Sequence, residues 1–267
     1  MIGQTAPPQV VISGLGLITS IGNDKTEVGQ SLRNLAHGLA VCPLLDNPEL
    51  PIRVAGTVKG FDLGSAHWAD WRFPAGYPIQ TQQLRSLAPH GVYALCAMHQ
   101  AIADARLAPE DLADGDTGLF CASAGSPFLL HHHLSEMHAR GGMRGNPMGV
   151  VCSINGTLNF NLATFFKIQG ANCGFVSACS SSTHAIGYAC DEIRLGRQKR
   201  VLVVGAEDLT AETHLPFHSM RTLSKNPDPD TASRPFDRGR DGFVGTGGAA
   251  VLVVEAAQSA MARGARV

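Results

Sequence analysis

Charge is the first thing this sequence has little of. Its 267 residues carry a formal net charge of −1 with 16% charged side chains. No Lys/Arg block exceeds three residues, which excludes a nucleic-acid footprint and a polybasic membrane patch. No window reaches the ~18 consecutive apolar residues of a membrane span. The opening "MIGQTAPPQVVISGLG" has neither a basic n-region nor a long apolar h-region. The expectation is a cytoplasmic protein with a small or protein-borne substrate and no nucleic-acid or membrane partner. Internal repeats and low-complexity segments are also missing. Seven cysteines (Cys42, Cys96, Cys121, Cys152, Cys173, Cys179 and Cys190) make an odd count without a CxxC pair. That fits neither a disulfide framework nor a zinc knuckle, and most are expected to be buried and inert.

What the chain does have is 44% apolar content, enough for a full core. "QVVISGLGLIT" is a continuous apolar run, the pattern of a strand buried on both faces. "DKTEVGQSLRNLAHG" follows with helical spacing at Val28, Leu32 and Leu35, and Gly38 as a stop. Residues 40–85 hold prolines and both tryptophans with little periodicity, and read as an irregular insertion with short strands such as "IRVAGTV". An amphipathic helix is evident in "GVYALCAMHQAIADARL", and a buried strand in "DTGLFCASAG". Ser126-Pro127 has the form of an N-cap followed by Pro at the first helical position, opening "FLLHHHLSEMHARGG". The remaining clear elements are the strand "CGFVSA", the helix "SSSTHAIGYACDEIRLGR", the strands "RVLVVGAED" and "GGAAVLVVEAA", and a closing helix "AQSAMARGA". Strands alternating with helices imply an α/β fold with a mostly parallel sheet covered on both faces.

Cys179 falls where the strand "CGFVSA" gives way to a helix starting at about Ser180. Unpaired N–H groups and the helix macrodipole favour an anion there. The thiolate is the nucleophilic form of cysteine, so a reactive thiol is expected at such a turn. The small neighbours Ser177, Ala178, Ser180, Ser181 and Ser182 leave room for a bulky acyl group, and the amide N–H groups can bind the oxyanion formed when a thiol attacks a thioester. Local features leave a second reading open, in which Cys179 is one more small buried residue. His184 is the tempting base, but five residues along a helix place it about 140° around the axis from Cys179. A packed, hydrogen-bonded histidine is the better reading of it.

Three other signals fall short. "SGLGLITSIG" has Thr19 where a dinucleotide fingerprint needs glycine, and no ribose-binding acid follows, so a tight strand-to-helix turn explains it better. In "LLHHHLSEMH" the side chains of His131, His132 and His133 fan over about 200° on a helix, and His138 forms no i, i+4 pair with them, which argues against a metal site. "GFVGTGGAA" lacks the Gly-Lys-Ser/Thr ending of a phosphate loop. No cofactor and no metal are expected.

"VSACSSSTHAIG" resembles the nucleophile segment of the β-ketoacyl-acyl carrier protein synthases, the ketosynthases of fatty-acid and polyketide assembly in the thiolase-like superfamily. "VVISGLGLITSIGND", "RVLVVGAEDLT" and the distal stretch from "FHSMRTLSKNPDPD" through "SRPFDRGRDGFVGTGGAAVLVVEAA" agree in order and spacing, across nearly the whole chain. The resemblance implies a thiolase-like fold. This chain would form one αβα half, with a mixed, mostly parallel five-stranded sheet, of a five-layer αβαβα architecture. It implies that Cys179 accepts an acyl chain from acyl carrier protein, and that its backbone N–H is one oxyanion donor. Decarboxylative Claisen condensation with a malonyl extender then follows. Phe217, at an F-x-x-x-R position with Arg221, would line the acyl pocket; core packing is the plainer account of it.

The family's HGTGT and GHxxG motifs, whose histidines serve decarboxylation, do not occur here. After Cys179 the only histidines are His184, His214 and His218. The expectation is one domain over 1–267, the family's N-terminal half, without its C-terminal half. Such a chain should be incomplete for condensation, poorly soluble as a monomer, and exposed on the apolar face meant for a partner. The partners implied are acyl carrier protein bearing acyl and malonyl groups, a homodimeric or heterodimeric ketosynthase-like subunit, and a separate C-terminal half. The alternative is a non-catalytic chain-length-factor-like subunit, which the presence of Cys179 disfavours; "RPFDRGRDGF" disfavours a degradative thiolase. One departure stands out: Gly247 occupies a place usually held by an acidic residue.

Overall fold

The computed structural model describes residues 7–45 and 51–267, so the first six residues and the 46–50 part of the irregular 40–85 stretch lie outside the described residues. In chain order the elements are β1 (Val10–Ile18), α1 (Lys25–Arg33), β2 (Leu39–Val41), β3 (Val54–Gly56), α2 (Thr81–Leu84), α3 (Pro89–Ala105), α4 (Pro109–Leu112), β4 (Thr117–Ala122) and α5 (Pro127–Arg140). They continue with α6 (Gly149–Ser153), α7 (Gly156–Phe166), β5 (Asn172–Phe175), α8 (Ser181–Arg194), β6 (Arg200–Glu207), α9 (Ala211–Ser219), α10 (Pro229–Ala232), β7 (Gly248–Ala256) and α11 (Ala257–Ala262).

Five strands form one sheet in the order β1-β7-β6-β4-β5. β4 pairs parallel with β5 and β6, whereas β7 runs antiparallel to β6 and β1. Four strands therefore point one way and β7 opposes them, the mixed, mostly parallel sheet expected. Strand pleating explains the continuous apolar runs. On β6, Leu202 and Val204 face the cluster containing α3, while Val201 and Val203 face Ala185, Ala189 and Ile193 of α8. β2 and β3 form a separate antiparallel pair, and Val58, Leu63 and Trp71 from the same irregular stretch pack into the α3 side of the core.

The glycines of "SGLGL" lie inside β1, not in a strand-to-helix turn as the sequence suggests. They let α3 approach the strand: a Cβ on Gly16 would sit 1.9 Å from the Ala97 carbonyl oxygen, and one on Gly14 2.6 Å from that of Ala101. α3 also covers the open edge of β1, since Asp104 accepts from Leu15 N–H at 3.0 Å and Gln100 from Leu17 N–H at 2.9 Å. A second feature absent from any sequence pattern is the buried Glu255 on β7. Burial opposes its charge, but hydrogen bonds from Arg263, Ser13 and Ser259 outweigh that and hold its carboxyl below the usual range. These contacts tie β1, β7 and the end of α11 together.

One helix differs from expectation. α1 stops at Arg33, and Leu35 adopts a left-handed φ of 52°, so only Val28 is buried while Leu32 and Leu35 are exposed. α8 spends its apolar residues on the sheet. Its outward face carries Thr183, His184, Gly187, Tyr188 and Asp191, and exposed apolar side chains flank it at Val176 and Leu195.

Gly16→Ala should destabilise the chain by about 1–3 kcal/mol through overpacking. Gly187→Ala, which meets open space on α8, should gain up to about 1 kcal/mol from helix propensity. Urea unfolding of the two variants measures the contrast.

Candidate active site

The sheet's four like-directed strands end at one side, where open α/β sheets place their ligand sites. A cleft of about 380 Å³ opens there, lined by Ile18 of β1, Ala122 of β4, Gly205 and Glu207 of β6, Gly248 of β7, and Cys179. Ser123, Ala178, Ser181, Ser182, Thr246 and Gly247 complete much of its wall. Small residues dominate, which leaves the thiol accessible. Cys179 is exposed, whereas Cys42, Cys96, Cys121 and Cys152 are buried. Burial pushes the Cys152 thiol up to about 11 and that of Cys96 up to about 12, so neither ionises near neutrality. The expectation that most cysteines are buried holds for these four; Cys190 is intermediate, and Cys173 is exposed on the edge strand β5.

The turn that presents Cys179 is held by serines. The Ser177 N–H donates to Ser181 Oγ at 2.7 Å, and Ser181 Oγ donates to the Ala178 carbonyl at 2.7 Å. Ser180 Oγ donates to the Ser177 carbonyl at 2.7 Å, while the Ser180 N–H donates to the same oxygen at 3.1 Å. Ala178 between them has a left-handed φ of 48°, an uncommon conformation for a residue with a Cβ. Ser180 is the N-cap position of α8, so Cys179 lies one residue before the cap, close to the place its sequence position implies. Among the described residues the Cys179 N–H finds no protein acceptor. Gly205 seats the helix: a Cβ there would lie 2.8 Å from Ser182 Oγ.

The other singled-out residues lie elsewhere. His184 is exposed and does not line the cleft. It is not the packed, hydrogen-bonded residue expected, because the sheet-facing positions of α8 are Ser181, Ala185, Ala189 and Ile193. His214 is buried, with Nδ1 3.0 Å from the Thr210 carbonyl oxygen, and packs on Gly245. No histidine lines the cleft among the described residues. Phe217 on α9 is 40% exposed and meets Phe243 edge-on with ring centroids 5.4 Å apart, outside the cleft lining. Gly247 does line it, and a Cβ there would lie 3.0 Å from Leu209 N.

Two carboxyls at the end of β6 had no place in the sequence expectations: Glu207, which lines the cleft with Cys179, and the adjacent Asp208, which does not. The strand ends around the Glu207 carboxyl withhold water and push it up to about 7, against a hydrogen bond from the Ala124 N–H at 2.8 Å. Asp208 is buried and pushed up to about 6 by desolvation, although Ser126 Oγ, the α5 N-cap, donates to it at 2.6 Å. The "AED" after an apolar strand was the available signal. Because both values are raised, the stability linked to the protonated forms is complete below about pH 4 and is lost as pH rises through 6 and 7. Asp208→Asn should remove a decline of about 2 kcal/mol between pH 4 and 8. Glu207→Gln, at a residue partly exposed on the cleft wall, should remove less. Urea midpoints across that range, wild type minus variant, measure both.

The beta-ketoacyl synthase N-terminal domain family matches residues 8–260. The 3-oxoacyl-[acyl-carrier-protein] synthase 1 of Haemophilus influenzae is 36% identical over 266 residues, which cover 97% of this chain and 62% of that protein. The crystal structure of a beta-ketoacyl synthase from Burkholderia phymatum superposes with a TM-score of 0.83 at 32% identity, over 97% of this chain and 62% of that one. The ishigamide ketosynthase/chain length factor gives a TM-score of 0.80 at 26% identity, over 98% and 61%. The chain thus spans about three-fifths of the length of the relatives it matches. The match over residues 8–260, together with these relatives, places the chain in the beta-ketoacyl synthase family, as its N-terminal domain.

Proposed function

We propose that this chain is the nucleophile-bearing part of a 3-oxoacyl-acyl carrier protein synthase, with Cys179 as the acyl acceptor. The observation that supports this most is the exposed thiol in the cleft, directly before α8, with an unengaged backbone N–H beside it. In the proposed first step the Cys179 thiolate attacks the thioester carbonyl of an acyl-carrier protein. The tetrahedral oxyanion is held by the Cys179 N–H, and the carrier's phosphopantetheine thiolate leaves with a proton, so one thioester replaces another. In the second, a malonyl-carrier protein loses carbon dioxide and its carbanion attacks the acyl-cysteine carbonyl. That releases the Cys179 thiolate and leaves a β-ketoacyl-carrier protein.

The second step needs donors for the developing enolate. The absence of any histidine from the cleft lining among the described residues supports assigning them to a further, similarly folded half. The outward face of α8 is where that half would pack, since the matched relatives are longer than this chain and small residues such as Gly187 permit close helix contact. Among the described residues β5 pairs with β4 alone, and it exposes Asn172, Cys173 and Gly174. Its open edge is the proposed contact with a second ketosynthase-like subunit. The acyl-pocket role of Phe217 rests on the family resemblance, since the Phe217–Phe243 pair lies outside the cleft lining. The thiol disfavours a purely chain-length-determining role.

An epoxyamide electrophile of the cerulenin type should label Cys179 in preference to Cys173, which is also exposed. Peptide mapping reads this, and labelling that persists undiminished in Cys179→Ala contradicts it. The purified chain alone should release no carbon dioxide from malonyl-carrier protein above background. Decarboxylation at about 1 s⁻¹ or faster, an ordinary enzyme rate, would show that the described residues already contain the enolate donors.

A further inference from the structure

Away from the cleft, α5 gathers a donor set that the ketosynthase reading does not use. One imidazole nitrogen from each of His132 and His133 and one carboxylate oxygen of Glu136 lie within 4.8 Å of one another. His132 Nε2 is 3.7 Å from Glu136 Oε2, and the His132 and His133 rings meet edge-on with centroids 5.1 Å apart. Weighing the histidines of "LLHHHLSEMH" only against each other misses this set, because its third member is Glu136, four residues after His132 and three after His133. Those spacings bring side chains together on a helix.

The second observation is a lack of partners inside the protein. His133 is only 5% exposed, with its ring pressed against Gly149, where an added Cβ would sit 2.4 Å from the ring. Its Nδ1 has no hydrogen-bond partner, and neither has the buried Nε2 of His132. Two buried nitrogens side by side without a hydrogen-bond partner call for an explanation, since native proteins satisfy nearly all such atoms. An ordinary His–Glu ion pair would engage His132 and leave His133 unexplained. Glu136 keeps Oε2 toward His132 while its Oε1 meets Arg140 Nη2 at 3.2 Å. His67, whose ring stands edge-on to that of His132 at 6.0 Å, borders the cluster from the irregular stretch.

We infer that His132, His133 and Glu136 form a binding site for a first-row divalent cation of the zinc class, with water in the remaining position. Two imidazoles and a carboxylate are a known zinc donor set, and imidazole donors disfavour magnesium and calcium. Zinc bonds of about 2.0–2.2 Å hold donors about 3.3 Å apart, so the set must close by up to about 1.5 Å. His132 and Glu136 are only partly buried, which leaves their side-chain torsions free to do so. Binding there links α5, whose N-cap Ser126 reaches Asp208 beside the cleft, to the contact with His67.

The test titrates the whole chain with zinc chloride by calorimetry, and with cobalt(II) chloride by visible absorption. One equivalent should bind, and the cobalt spectrum should show ligand-field bands without thiolate charge transfer. His132→Ala and Glu136→Gln, both at partly exposed positions, should each weaken binding at least tenfold, with folding checked by circular dichroism. His131→Ala and His138→Ala should leave affinity unchanged. Equal affinity in wild type and His132→Ala, sulfur charge transfer in the cobalt spectrum, or no binding at millimolar metal would each overturn the inference.

Discussion

The structure depends on how closely its helices approach the sheet. Gly14 and Gly16 admit the backbone of α3 on one face, and Gly205 admits the start of α8 on the other. Side chains at these positions would meet backbone or side-chain atoms at 1.9 to 2.8 Å. The approach of α8 matters most for chemistry. It brings the helix start level with the ends of β4 and β6, so the residue just before the helix, Cys179, opens into the cleft between them.

The serine turn works with that approach. Ala178 holds a left-handed conformation that costs energy in isolation. Hydrogen bonds among Ser177, Ala178, Ser180 and Ser181 offset the cost locally. The same bonds consume the hydroxyls of Ser180 and Ser181, which suits side chains that fix a turn rather than take part in proton transfer. The Cys179 N–H is left over, so the side chains build the turn and leave one backbone donor free at the cleft. Glu207, with its carboxyl raised by desolvation, makes the wall of the cleft responsive to pH near neutrality.

Much of this was legible in the sequence because the signals are local. The strands β4, β6 and β7 read as continuous apolar runs because they are buried on both faces, and Ser126-Pro127 marked the start of α5 through capping chemistry. The position of Cys179 followed from a strand running into a helix. What escaped were features made by distant residues. α7 gave no amphipathic signal because it buries polar residues: Asn159 donates to the Cys173 carbonyl at 2.7 Å and Asn161 to that of Ser86 at 2.6 Å. α9 carries Pro216 inside the helix, which masks it. The Glu255–Arg263 contact and the room that glycines make for α3 depend on tertiary neighbours, and so does the exposure of His184. Histidine spacing alone hid the contribution of Glu136.

The account's central claim is that the turn before α8 presents Cys179 as an acyl acceptor. The most direct measurement incubates the chain with an octanoyl-carrier protein and maps the product by tandem mass spectrometry. The account predicts a single octanoyl thioester on the peptide containing Cys179, lost on treatment with neutral hydroxylamine. An unmodified Cys179 under conditions in which a full-length relative is acylated, or acylation confined to another cysteine, would contradict it.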